Sequence, residues 1–231
     1  MNKFVITAIA ILLFQGLKSQ ETLQNNKLIL GGSFNYWVQH NSFPISSLSH
    51  NFNIGGFYSN SDEDIKNTVF AFAPLIAKEL NRRLMLGIQL EYRTTNYKVD
   101  NQVLFGNTNP VDFERSSNQF GIGLFSRHTI NPQSQFQFFL QPIIDYYLLN
   151  EEELHDSNLT QKEKAHFFEI GLDAGILYNF NDWIGATFRV GGLNYVNGSW
   201  KIVDTATKKD FSSFGTNLNL ASIYFGLEIK I

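Results

Sequence analysis

From Ala221 to Ile231 apolar and polar residues alternate without a break. Ala221, Ile223, Phe225, Leu227, Ile229 and Ile231 lie on one side of the chain, and Ser222, Tyr224, Gly226, Glu228 and Lys230 on the other. A period of two places successive side chains on opposite faces of a strand and excludes an amphipathic helix, whose apolar residues recur every three to four. Seven more segments carry this period, at about residues 27–38, 67–77, 84–97, 115–130, 135–149, 165–179 and 183–196, and the C-terminal one reaches back to about 216. Eight is an even number, as closure of an up-and-down barrel requires. The third is among the clearest: Leu84, Leu86, Ile88, Leu90 and Tyr92 alternate with Met85, Gly87, Gln89, Glu91 and Arg93. The second is the weakest, because Ala71, Ala73 and Leu75 take the polar-face positions between Phe70, Phe72, Pro74 and Ile76.

The connections alternate in length. Short ones fall at about Lys78–Arg83, Asn131–Ser134 and Phe180–Asp182, rich in the Asn, Pro and Asp that tight turns use. Long ones fall at about Gln39–Lys66, Lys98–Glu114, Asn150–Lys164 and Asn197–Gly215. Short turns at one rim and long loops at the other are the pattern of a transmembrane barrel, with the short rim periplasmic and the long loops outside. The segment from Ser49 to Tyr58 also alternates and would extend the first hairpin above the membrane.

The N-terminus predicts the route to such a membrane. Met1-Asn2-Lys3 is a basic head, Phe4–Phe14 an apolar run and Gln15–Ser19 a polar exit, which together read as a cleaved signal peptide over residues 1–19, leaving 20–231 as the barrel domain. Beyond it no apolar run approaches the roughly 20 residues of a membrane helix, so entry into a bilayer would be by strands. The chain has no cysteine, hence neither a disulfide nor a lipid attachment point. Loss of Lys3 and Lys18 with the signal takes the formal charge from −3 to −5, a mild acidity that argues against nucleic acid as a partner.

Parity places Glu91, Arg93, Arg127, Asp145, Glu169, Asp173, Arg189, Glu228 and Lys230 on one continuous face. An eight-stranded barrel is just wide enough for its interior to be filled by side chains, so these charges would meet across the lumen. The turn centred near Asn181 sets Asp173 opposite Arg189, which predicts a lumenal ion pair. On the other face Tyr36, Tyr92 and Tyr146 fall at the long-loop ends and Phe136, Tyr178 and Ile184 near the short-turn ends, as interfacial girdles do. Trp37, Tyr147 and Tyr195 have the opposite parity and would point inward near the outer mouth.

With a signal peptide, Leu30-Gly31-Gly32-Ser33-Phe34 opening the first strand, Pro74 in the second and Leu86-Gly87-Ile88 in the third, the chain resembles the small outer-membrane β-barrel proteins of Bacteroidetes-type bacteria. It is similar in this to the membrane domain of outer-membrane protein A. The resemblance implies an eight-stranded antiparallel barrel in outer-membrane lipid and lipopolysaccharide. It also implies insertion by the outer-membrane assembly machinery, which reads a C-terminal strand such as Phe225, Leu227, Ile229 and Ile231, although the family more often closes it with an aromatic residue.

Catalytic signals are sparse. Ser126 and His128 are two residues apart with lipid-facing parity, a nucleophile and base spacing known from lipid-modifying barrels, but they precede the short turn at Asn131 and lack a carboxylate on the same face. Glu151, Glu152, Glu153, His155 and Asp156 could offer oxygen ligands to a divalent cation, though without the spacing of a calcium loop, and read as a solvated loop. No metal or organic cofactor is indicated. The leading expectation is a non-enzymatic barrel with a plugged lumen and a structural or loop-mediated binding role, its external partner unspecified. The alternative is a narrow pore for ions or small solutes, with gaps at the inward glycines Gly87, Gly121, Gly123, Gly171, Gly175, Gly185, Gly191 and Gly226. A lipid-modifying enzyme comes third.

Overall fold

The computed structural model describes residues 27–40, 64–102, 111–155, 158–203, 207–216 and 222–231. The expected signal segment and the Ser49–Tyr58 alternation lie outside the described residues. The strands are β1 (Leu28–His40), β2 (Asp64–Asn81), β3 (Leu84–Gln102), β4 (Val111–Thr129), β5 (Phe136–His155), β6 (Asn158–Asn179), β7 (Ile184–Ile202), β8 (Lys208–Thr216) and β9 (Ile223–Lys230). Chain neighbours pair antiparallel from β1 to β7, and β9 closes the ring by pairing with β7 on one side and β1 on the other. The backbone of the last residue completes this closure, since Leu28 and Ile231 exchange N–H···O bonds of 3.0 and 2.8 Å. The fold is thus an all-β, antiparallel up-and-down barrel with eight positions around the ring.

The eighth position is split, which corrects the expected strand over 216–231. β8 pairs with the outer half of β7, Lys208 opposite Lys201 through Thr216 opposite Leu193, whereas β9 takes up the lower half from Ile223 opposite Val190. Between those two pairings β7 supplies only Gly191 and Gly192. At the same level β6 supplies only Asp173, so β7 carries a one-residue bulge. A Cβ on Gly192 would overlap the carbonyl oxygen of Leu172, so the bulge needs a glycine there. The bulge reverses the parity of β7: Thr187 and Arg189 face inward below it, Asn194 and Val196 above it.

The strands also run further outward than alternation indicated. Asn150–Lys164, expected as a loop, is mostly the top of the β5–β6 hairpin, with Asn150 opposite Lys164 and Glu151 opposite Glu163. Asn197–Gly215 is likewise largely the β7–β8 hairpin. An apolar cluster of Tyr147, Leu149, Ala165, Phe167 and Val196, with Trp200 and Phe211 against it, fills the inside at this level and holds the hairpins upright. A second cluster, Ile29, Ala77, Met85, Phe125 and Ile143, sits nearer the short-turn rim.

The two faces differ as a water-soluble barrel's would not. Phe34, Ile88, Ile122, Leu124, Leu148 and Leu227 are between 46% and 60% exposed on the outside, while Glu228, Asp145 and Arg127 are at most 4% exposed inside. Apolar residues outward and charges inward follow directly from the period of two on every strand.

Candidate functional site

Among the described residues, charged groups of several strands converge in the lumen, and alternation puts them there strand by strand. Nearest the short-turn rim, Arg127 of β4 donates from one terminal nitrogen to Glu228 of β9 at 2.5 Å and from Nε to Gln141 of β5 at 3.0 Å. Its guanidinium lies 4.2 Å from the centre of the Phe139 ring. Above it, Arg189 of β7 donates to Gln89 at 3.2 Å, and Gln89 passes the connection on by donating to Asp145 at 3.0 Å. Arg189 also lies 4.8 Å from the centre of the Tyr224 ring. Arg93 donates from Nε to Glu91 at 3.1 Å and from a terminal nitrogen to the Tyr224 hydroxyl. Asn194 donates to Glu169 at 3.2 Å. Three buried arginines are thus each shared between a carboxylate and neutral acceptors or rings, the arrangement that makes burial of an ion tolerable.

Asp173 and Arg189 do come within 3.6 Å, carboxylate to Nε, but not by the expected register. Arg189 stands opposite Gly175, and Asp173 lies across from the β7 bulge. The turn is centred one residue later than Asn181, because the Asn181 side chain accepts from the backbone N–H of both Trp183 and Ile184 and so tightens the connection at that end. The pairing therefore slips by two residues, which preserves the face, and the long arginine spans the diagonal. Lys230 lies at the short-turn rim, bonded to Asn179 at 2.8 Å. There a cavity of about 470 Å³ opens, lined among others by Lys27, Glu79, Arg127 and Glu228.

The inward glycines other than Gly191 are crowded from the neighbouring strand. A Cβ on Gly87 would stand 2.5 Å from the Phe125 ring, and Cβ atoms on Gly121, Gly123 and Gly175 would overlap Tyr147, Asp145 and Phe139. Each of these side chains is the direct cross-strand partner of its glycine, so the small residue makes room for the large one. Tyr147 points inward and is buried. Tyr195 does not: the β7 bulge turns it outward, where it packs on Phe168 with ring centres 6.3 Å apart. Gln89, Gln141, Tyr224 and Phe139 are members of the network that a search for charges passes over, although their parity already marked them as inward.

Elsewhere Ser126 and His128 approach to 3.4 Å, but Ser126 is 3% exposed and hence shielded from a substrate. The acidic stretch is strand as far as His155, not solvated loop, and Asp156 lies outside the described residues. Glu151 and Glu153 turn inward onto Arg115 at 3.3 and 2.6 Å, while Glu152 turns outward to Lys162. Burial raises the Glu151 carboxyl above its ordinary range, an effect the Arg115 guanidinium opposes and Glu163 and Glu153 reinforce.

The fold and its interior thus define a class: a closed antiparallel barrel, apolar outside and charged inside. No family model matches the chain, and no curated protein does. Among solved structures, the crystal structure of Neisserial surface protein A (NspA) is similar, with a TM-score of 0.44 and 12% identity over 90% of this chain and 98% of that one.

Proposed function

We propose that the chain is a non-enzymatic integral outer-membrane β-barrel whose lumen is plugged by side chains and which acts structurally or through binding at its long-loop end. The observation that carries this reading is a closed ring with an apolar outer belt and a buried, mutually bonded charge network inside. Such a belt is stable against acyl chains and unfavourable in water. The cleaved signal peptide, insertion by the assembly machinery through Phe225, Leu227, Ile229 and Ile231, and kinship with Bacteroidetes-type barrels and the membrane domain of outer-membrane protein A belong to this proposal and rest on the sequence pattern. The lumenal set Glu91, Arg93, Arg127, Asp145, Glu169, Asp173, Arg189, Glu228 and Lys230 serves here as interior packing.

The narrow-pore alternative draws support from the cavity at the short-turn rim, which would be its entrance. Against it stand the rings and carboxylate that occupy the space beside the inward glycines. Single-channel recording on refolded protein in a planar bilayer decides between them, with folding verified by heat-shifted gel mobility. The plugged reading expects silence from both wild type and Arg189→Ala. Discrete steps in wild type that grow in the variant would replace it with the pore.

A further inference from the structure

Lys164 of β6, Lys201 of β7 and Lys208 of β8 form one cross-strand row, Lys164 directly opposite Lys201 and Lys201 directly opposite Lys208. All three are exposed on the outer face of the barrel. Like charges directly opposite on a sheet repel. Among the described residues Lys164 and Lys201 have no carboxylate within 4.0 Å, and Lys208 has only the exposed Asp210 at 3.9 Å. The row below runs from His166 to Ser199, with Nε2 and Oγ 3.1 Å apart, and on to Asp210 opposite Ser199, so it carries one exposed carboxylate, at its β8 end. Next comes Phe168 opposite Asn197, the Phe168 ring packed on Tyr195 at the upper edge of the apolar belt.

The spacing sets the height of these ammonium groups. Lys164 is four residues from Phe168, about 13 Å along the strand. At the tilt of about 40° usual for such barrels, that is about 10 Å above the aromatic level. Each headgroup layer is about 5–7 Å thick, so the lysine backbone stands just above it and the long side chains reach back down into it, outside the hydrocarbon. A triple row of cations at that depth, continuous with the belt below, is complementary to phosphate.

Resting on the membrane reading above, we propose that Lys164, Lys201 and Lys208 hold the phosphate of an anionic lipid headgroup in the outer leaflet, with the lipid's acyl chains against the belt below Phe168. Lysine near a charged lipid surface contributes about 1 kcal/mol each, so removal of three lowers affinity roughly a hundredfold. The bound anion also relieves the mutual repulsion of the row, so lipid binding stabilises the folded barrel by linkage.

The test places wild type, a Lys164→Gln/Lys201→Gln/Lys208→Gln variant and a Lys78→Gln control from the short-turn end in phosphatidylcholine nanodiscs. Each is titrated with lipid A as the phosphorylated glycolipid, or with the same glycolipid after phosphatase treatment. Native mass spectrometry reads the bound lipid and the unfolding temperature reads the linkage. Wild type and control should retain phosphorylated lipid and unfold at higher temperature with it, while the triple variant and the dephosphorylated lipid should show neither. Equal retention by the triple variant, or equal retention of the dephosphorylated lipid, overturns the proposal alone. Failure of wild type to give a heat-shifted band in lipid would overturn the membrane reading, and the proposal with it.

Discussion

Arg127 shows what a single interior residue does in this barrel. Its side chain donates to one carboxylate oxygen of Glu228 and to the amide oxygen of Gln141 at once and lies over Phe139, all of them buried. Removing it would strand a carboxylate and an amide oxygen away from water, and loss of one partner of a buried pair costs about 3–5 kcal/mol. Arg127→Ala should therefore lower the urea-unfolding free energy in lipid vesicles by that amount. Arg127→Met combined with Glu228→Gln should recover most of it, because no uncompensated charge is left. An Arg127→Ala barrel as stable as wild type would mean that water reaches Glu228 and that the interior is wetter than its burial indicates. At this scale the charged members were legible, because a charge on an otherwise alternating strand betrays its own face. Their neutral partners were not: Gln89, Gln141 and Tyr224 look like ordinary polar-face residues until the neighbouring strands bring arginines to them.

At the scale of elements, the β5–β6 hairpin is the part that alternation least foretold. Glu151, Glu152, Glu153 and the lysines near them have the composition of a solvated loop, and only cross-strand partners make them strand. Glu151 and Glu163 stand directly opposite, facing inward with Arg115 from β4. Since the folded hairpin raises the Glu151 carboxyl above its ordinary value of 4.5, the folded state holds that proton more tightly than the opened one. The hairpin's stability is then fullest below the ordinary value and declines as pH rises through the raised folded value. Amides of residues 149–153 should exchange faster, relative to intrinsic rates, as pH climbs through that window, and Glu151→Gln should flatten the trend. A slope unchanged in Glu151→Gln would assign the effect to other groups. The β7 bulge was hidden for a related reason: Gly191 and Gly192 have no side chain to mark a face, so the shift of the outward positions from even to odd, which turns Leu193 and Tyr195 to the outside, falls on residues that do not show it.

For the whole molecule, closure was legible because eight alternating segments leave no free edge, whereas the split of the eighth was not. Residues 208–216 are mostly polar, and their place is fixed by the outer half of β7 rather than by their own pattern. The same closure decides what the lumen can conduct, since a barrel filled in successive layers passes ions only when every layer is open. The layer near the short-turn rim holds Phe125, Met85 and Ile143, the middle holds Arg93, Arg189 and Tyr224, and the outer holds Tyr147, Phe167 and Leu149. Barriers in series do not share their load, so truncating one leaves the others shut. Phe125→Ala with Phe139→Ala should be silent in a planar bilayer, as should Tyr147→Ala with Phe167→Ala. Only those four substitutions joined to Tyr224→Ala should give discrete conductance steps, in protein that keeps its heat-shifted mobility. If either pair alone conducts, the remaining layers already contain a connected water path, and the interior is a gated pore with one constriction instead of a plug.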